Sequence, residues 1–506
     1  MSQASVASTS PTMSTQTTVG EPLPYDVLVH ISDKVCETDF ASLCALRLVS
    51  KATNEIAEPK VFASTSISFT NRPYTPSQLE AMASGTSPYS RWTTNLSIPE
   101  NALIPLELAD RDPLQGEERD RLLACQTEFL VPALESLQGL KSVKFDTSRR
   151  SPYEDVLSAL ARLPNLEALI NTNCDYHEPI PAHLEKFSNL RHIALSNIYL
   201  YPGTVAVLKR MLARSLTTLE IFTLDPHQLW DPDAESYTSV KLEDLFDKGT
   251  GTSPSPSLPA LRALKVTGVE LAATSIPILR SLVKLQVTSL EPHSNDVEDG
   301  FWGALENLGV RLEHLEVAHL SPAAIKYLVS YEGLRELQLG STSFSKSDDH
   351  FAQFAPDVLS KHRKTLTRLS LSCLDVAEFR CTEEDFELIY QCAQLDTLTF
   401  GYTESSSKPG RAPTVSLDLL LPRLAERLPR LRQLYIYPKP GGTHFIGMSR
   451  GAHEKIISTF VKGVCDVHFA NTVPRFKLLG PKNCGPFDFD LETRRFFEVK
   501  ETLPPT

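Results

Sequence analysis

The chain contains no run of 18 consecutive apolar residues, which excludes a bilayer-spanning helix. It also lacks an excess of positive charge: 50 Lys and Arg face 62 Asp and Glu, for a net charge of −12 over 506 residues. An acidic chain without a basic block is unsuited to wrapping a phosphate backbone or lying on an anionic membrane, so neither nucleic acid nor membrane is expected as a partner. Nine cysteines are an odd number, and no two form a Cys-x-x-Cys pair. That excludes a disulfide framework and a zinc ribbon, and predicts reduced thiols in the cytoplasm and/or nucleus. No Gly-x-x-x-x-Gly-Lys-Ser/Thr, Gly-x-Gly-x-x-Gly or His-Glu-x-x-His motif occurs, and the 13 histidines are scattered. No cofactor, metal or catalytic residue is therefore expected. What remains is an ordinary globular composition, 41% hydrophobic and 22% charged, that can bury a large core.

Residues 1–20 hold ten Ser or Thr with neither a basic nor an apolar block, and read as a disordered tail rather than a signal peptide. Order is expected to begin at Leu23 and Pro24, since proline suits the first turn of a helix. Val27, Leu28, Ile31 and Val35 then recur at helical spacing. Thr38 and Asp39 are N-cap candidates for a second helix through Phe40, Leu43, Leu46 and Val49. A third begins near Ser50, carries Ile56 and is expected to stop by Glu58, because Pro59 follows. The unit, 21–62, holds more apolar positions than one small core needs: Leu23, Val27, Leu28, Ile31, Phe40, Leu43, Leu46 and Leu48. The surplus face either meets another protein or packs on the rest of the chain.

The stretch LPYDVLVHISDKVCETDFASLCALRLVSKATNEIAEPKVF resembles an F-box. It has the opening Leu-Pro, an Asp39-Phe40 and Ser42-Leu43 step, an LRLVSK segment, and an Ala-x-Pro-x-x-Phe close similar to many fungal members. Ala52, Thr53 and Asn54 stand where the family often carries a bulky aromatic, which predicts thinner packing of the third helix. The resemblance implies docking onto a Skp-family adaptor, and through it a cullin, in an SCF-type ubiquitin ligase. The matching adaptor-contact positions are Leu23, Pro24, Leu28, Ile31, Phe40, Leu43 and Leu46.

A second pattern fills residues 63–470. The frame L-x-x-L-x-[LIVF] appears as LKSVKF, LEALIN, LRHIAL, LTTLEI, LRALKV, LVKLQV, LEHLEV, LRELQL, LTRLSL, LDTLTF and LRQLYI. Most steps run from 21 to 36 residues, with one of 45. Each frame is a short alternating strand, and helical patterns such as Val205, Leu208 and Leu212 fall between. Such units cannot bury their faces singly, so neighbours must stack. The fold class is α/β: a three-helix module, then an irregular solenoid resembling leucine-rich repeats, with parallel strands concave and helices convex. The turn position that usually holds Asn is aliphatic instead (Ile198, Leu224, Val269, Leu320), so turn backbone groups must find other partners. Strands 63–70 and 93–98 lead in. Residues 107–121, 225–259 (with a short helix at 240–248), 403–414 and 438–450 read as loops, and the aromatic segment 471–506 as a terminal cap.

On the concave face the strand residues between the apolar positions point outward. One row would be Ala194, Glu220, Lys265, Gln286, Glu316, Gln338, Ser370, Thr399 and Tyr435. The next would be Phe222, Thr267, Thr288, Ala318, Gly340, Ser372, Gly401 and Tyr437. Lys265, Gln286, Glu316 and Gln338, with Tyr435 and Tyr437 as aromatic anchors, are the candidates for binding an unidentified protein target. The expected function is a non-catalytic substrate-recognition subunit of a ubiquitin ligase. The alternative is a non-degradative repeat scaffold.

Overall fold

The computed structural model describes residues 23–69, 76–99, 102–104, 116–146, 153–171, 182–198, 200–226, 240–246, 261–272, 278–288, 295–317, 320–339, 355–371, 383–402, 415–438, 450–470, 473–480 and 486–499. The expected tail at 1–20, the loop at 403–414, most of that at 438–450, and Ala318, Gly340 and Ser372 lie outside these residues.

Three helices open the chain: α1 (Tyr25–Thr38), α2 (Phe40–Leu46) and α3 (Lys51–Val61). Asp39 caps α2, accepting from the amides of Ala41 at 3.0 Å and Ser42 at 3.3 Å. Hydrogen bonds from the Ser42 hydroxyl and these amides hold its carboxyl below the usual carboxylate range. Ser50 caps α3 through a reciprocal pair with Thr53: the Thr53 amide donates to Ser50 Oγ at 3.1 Å, and the Ser50 amide to Thr53 Oγ1 at 2.9 Å.

Three expectations are corrected here. Helix α2 stops at Leu46, so Leu48 and Val49 sit on an exposed turn instead of a helix face. Helix α3 runs through Pro59 to Val61. Proline forfeits one intrahelical hydrogen bond, and burial of Ala57 and Val61 against Leu43 offsets it. Thr53, expected to thin this packing, is buried in the cap.

The rest of the described residues are built on a sixteen-stranded sheet whose strand order follows the sequence, beside a small parallel pair of Val240–Lys241 with Val269–Glu270. Its strands are β1 (Ser64–Ser66), β2 (Asn95–Ile98), β3 (Ser142–Phe145), β4 (Ala168–Asn171), β5 (His192–Ile198), β6 (Ile221–Pro226), β7 (Ala263–Thr267) and β8 (Lys284–Thr288). They continue as β9 (His314–Val317), β10 (Glu336–Leu339), β11 (Arg368–Leu371), β12 (Thr397–Tyr402), β13 (Gln433–Pro438) and β14 (Lys477–Leu479). All pairings to this point are parallel. A hairpin, β15 (Phe487–Asp490) and β16 (Arg495–Glu498), ends the sheet antiparallel. The parallel run thus extends past residue 470, and Phe469, Phe489 and Phe496 pack edge to face under the hairpin. Parallel strands in sequence order with helices between them make a solenoid of leucine-rich-repeat type.

One apolar row crosses the sheet in register, from Leu96 through Val143, Leu169 and Ile193 to Leu398, Leu434 and Leu478. It corrects one frame. Ile193 pairs with Phe222, and Phe222 with Leu264. The repeat therefore begins at Leu219, not Leu216. The preceding helix reaches Ser215, and the Thr218 hydroxyl closes its end on the Ser215 carbonyl at 3.1 Å, leaving Leu216 in the turn. Phe222 is consequently core, Glu220 precedes the strand, and Thr223 takes the concave position. Two smaller corrections follow: the charged stretch at 107–121 contains the start of a helix, Glu117–Ser136, and the helix expected at 240–248 is Leu242–Phe246.

Consecutive repeats are joined by one recurring bond pattern. The carbonyl just before a strand accepts two amides of the next repeat. Lys141 O takes Glu167 N at 2.8 Å and Ala168 N at 2.9 Å, Glu167 O takes Arg191 N and His192 N, and Asp396 O takes Arg432 N at 2.7 Å and Gln433 N at 3.0 Å. The frame's first leucine also recruits side chains from the following repeat. Leu190 N donates to Ser215 Oγ and Leu190 O accepts from Thr218 Oγ1; Leu334 N donates to His362 Nδ1 and Leu334 O accepts from Thr365 Oγ1. The spacing 215/218 matches 362/365.

His362 is buried, with Nδ1 accepting from Leu334 N at 3.3 Å and Nε2 donating to Leu328 O at 3.0 Å. Both bonds require a neutral ring, and burial holds its pKa below the ordinary value. The unfolded chain therefore takes up a proton that the folded chain refuses. This stabilisation is complete above about pH 6.5 and is lost as pH falls below it. Thermal unfolding between pH 8 and 5 checks this: His362→Gln should lower Tm at pH 8 and flatten the decline on acidification.

Candidate functional site

Two surfaces carry the candidate residues. The first is the outward face of α1 and α2. Leu23, Ile31 and Phe40 are 55%, 38% and 56% exposed, and Pro24 is exposed. Leu28 and Leu46 are half-buried beside them. Leu43 is the exception. It has no accessible surface and forms the centre of the module's own core with Ala57 and Val61. It therefore cannot touch a docked partner, and acts by holding α2 against α3. Tyr25, Val27, Leu48 and Val49 extend the exposed apolar surface.

The module is fastened to the repeats through the end of α3. Phe62 meets the Tyr89 ring edge to face at 4.7 Å, Arg47 lies over Phe62 at 4.9 Å, and Thr93 Oγ1 donates to Phe62 O at 3.1 Å. Within the module Lys60 pairs with Asp33 at 2.6 Å. Attachment through α3 leaves the α1–α2 face exposed among the described residues, so it does not pack on the described repeats.

The second surface is the concave row. Lys265, Gln286, Glu316 and Gln338 stand side by side on β7 to β10. Burial raises the Glu316 carboxyl pKa, against Lys265, Lys284 and a hydrogen bond from Gln286. Tyr435 continues the same row beyond Ser370 and Thr399. Tyr437 lies one row over, opposite Gly401. Both tyrosines are half-buried, and the Tyr435 hydroxyl reaches Gln433 Oε1 at 3.4 Å. The candidates thus form a polar group on β7–β10 and an aromatic pair on β13.

A third feature escaped the sequence patterns. A cleft of about 620 Å³ opens where β10 to β13 begin, lined by Glu336, Arg368, Asp396, Arg430, Arg432 and Arg475, among others. The residue after a frame's first leucine is charged in all but two frames, where it is Val283 or Thr367, and neighbours along this rim pair: Arg191 with Glu220 at 2.5 Å, Arg335 with Glu313 at 3.3 Å, and Arg432 with Asp396 at 3.4 Å. That alternation of Glu or Asp with Arg was the available signal. The sequence also holds one Gly-x-Ser-x-Gly match at 447–451. Its Ser449 lies outside the described residues.

Among the described residues, no three metal-ligating side chains converge, and no helix is long and apolar enough to cross a membrane. No family model and no curated protein matches the chain. Among solved structures, it is similar to one from the complex of Rad7 and Elc1 in yeast, at 15% identity and a TM-score of 0.40 over 85% of this chain and 93% of that one. It is also similar to a leucine-rich-repeat protein of Leptospira interrogans, at 13% identity and a TM-score of 0.29 over 77% of this chain and 98% of that one.

The different burial of Leu43 and Phe40 makes them separable. Leu43→Ala should cost about 2–5 kcal/mol within the module, whereas Phe40→Ala should change stability by less than about 0.5 kcal/mol. Amide hydrogen exchange over α1–α3 reads both: protection falls in the first variant and stays in the second.

Proposed function

We propose that this chain is the substrate-recognition subunit of an SCF-type ubiquitin ligase. The observation that carries the proposal is the exposed apolar face of α1 and α2 on a small module anchored by its opposite side. An apolar patch of this kind marks an interaction surface, and its residues are those that match the F-box pattern. In this account Leu23, Pro24, Leu28, Ile31, Phe40 and Leu46 meet a Skp-family adaptor, which joins the chain to a cullin in the cytoplasm or nucleus.

The repeat arc holds the protein target. Lys265, Gln286, Glu316 and Gln338 supply polar contacts, and Tyr435 and Tyr437 the aromatic anchors. The chain itself then needs no catalytic group. It acts by proximity, converting encounter between target and charged conjugating enzyme into an effectively intramolecular step.

Co-expression with a Skp-family adaptor tests the docking. The wild-type chain should be captured, and a Leu23→Ala/Ile31→Ala/Phe40→Ala variant with unchanged Tm should not. Failure of folded wild-type chain to be captured would overturn the ligase role and leave a non-degradative repeat scaffold.

A further inference from the structure

The concave face changes character halfway along the arc. On β4 to β7 its two central rows are aliphatic or small. Ala168, His192, Ile221 and Ala263 stand side by side in one, and Ile170, Ala194 and Thr223 in the other. Ile221 is 36% exposed, and its neighbours are half-buried around it. Burial holds the His192 pKa below its ordinary value, so the ring is neutral at pH 7 and adds no charge to the strip. The charges stand at the borders. Lys144 adjoins Ile170 from β3, Lys265 adjoins Thr223 from β7, and Lys284 adjoins Ala263 from β8. Across β2 to β8 these rows hold those lysines and no acid, in a chain of net charge −12. The nearest acids on the same strands, Asp146 and Asp225, stand at the strand exits. The next strand, β9, brings Glu316, which lies in the field of Lys265 and Lys284.

We propose that this strip docks an amphipathic helix of the target protein, one with an aliphatic stripe at its centre and an acidic side chain at each end. The proposal rests on the reading of the arc as the target-binding surface and names the class of segment it takes. Burial of aliphatic surface is the driving force, and Ala168, Ala194 and Ala263 leave a shallow trough for larger side chains between Ile170 and Ile221. The amides and carbonyls of these strands are engaged with neighbouring strands. A segment laid on the face of the sheet therefore finds no backbone partners there. A helix meets that condition, because its own backbone is satisfied internally, and an extended peptide does not. The borders set the length. Adjacent strands lie about 4.8 Å apart, so Lys144 and Lys265, four intervals apart, are about 19 Å from each other across the sheet. A helix covers that span in about 13 residues. The lysines bracket an apolar centre and do not run through it, which favours an acidic-ended helix over a nucleic-acid backbone, whose charge is continuous.

The test uses the full-length chain and fluorescein-labelled peptides of about 18 residues. The lead peptide carries Leu at i, i+3, i+4 and i+7 over its centre and Glu about 13 residues apart at its ends, on a background of Ala and Gln. Three twins accompany it: one with Lys for the Glu, one with Ser for the Leu, and one with the same composition rearranged into strict alternation. Anisotropy should show the lead peptide bound at least about tenfold more tightly than any twin. A Lys144→Glu/Lys265→Glu variant should reverse the preference toward the lysine-ended twin, an outcome that a damaged fold cannot mimic. An Ile170→Ser/Ile221→Ser variant with unchanged Tm should bind none of the four. Failure of the wild-type chain to bind the lead peptide, equal binding of any twin, or an unreversed preference in the glutamate variant overturns the proposal. Tighter binding of a single-stranded oligonucleotide would make this a nucleic-acid site and overturns it too. Adaptor capture measured on the same variants separates the two readings. Capture without helix selectivity refutes this inference alone, and selectivity without capture refutes the ligase role alone.

Discussion

The whole solenoid hangs on one carbonyl per repeat. Each accepts two amides from the next repeat at the strand entry, and this doubled bond recurs from Ala63, which takes Thr94 and Asn95, to Asp396, which takes Arg432 and Gln433. A carbonyl oxygen has two lone pairs, and the arrangement uses both to hold two strand-entry amides. It also fixes pitch and register. Once the entry is set, the apolar residue two positions on must fall beside its predecessor, and the apolar row from Leu96 to Leu478 follows. Insertions between repeats can then vary widely in length, because nothing in the strand-entry geometry depends on them.

The same constraint generates both candidate surfaces on the arc. Fixing the apolar row inside places the intervening residues outside, so Lys265, Gln286, Glu316 and Gln338 become neighbours although each comes from a different repeat. Fixing the entry residue also stacks its side chain over that of the adjacent repeat. Opposite charges there pair, as Arg191 does with Glu220 and Arg432 with Asp396 beside the cleft. The N-terminal module is joined to this framework by a different kind of contact, aromatic and local, around Phe62 and Tyr89. Its core of Leu43, Ala57 and Val61 is separate from the continuous core of the repeats. That separation lets the module present α1 and α2 outward without borrowing their apolar face for its own stability.

Much of this was legible in the sequence because it depends on alternation over six residues. The frame LRELQL states both the buried Leu337 and the outward Gln338, and the structure places them so. The β6 frame was misplaced because Leu216, Leu219 and Phe222 are spaced by three, and alternation alone cannot choose among them. Register with Ile193 and Leu264 makes the choice, and that is a property of neighbours. Pro59 misled because a local rule for helix ends was outweighed by burial on both sides of it. Leu43 carried an F-box position without an exposed side chain, since a pattern records which residues are apolar and not which way they face. The arginine cleft was hidden for the opposite reason. Its charges come from segments more than 40 residues apart, at Arg368, Arg432 and Arg475, and line one cleft only through the stacking of repeats.

The central claim is that the α1–α2 face is a docking surface and that the arc stays open while it is occupied. Hydrogen–deuterium exchange of the full-length chain, alone and with saturating Skp-family adaptor, tests it most directly. New protection should appear across Tyr25–Thr38 and Phe40–Leu46, with exchange along β7–β13 unchanged. Protection appearing on the concave strands while α1 and α2 exchange as in the free chain would contradict it.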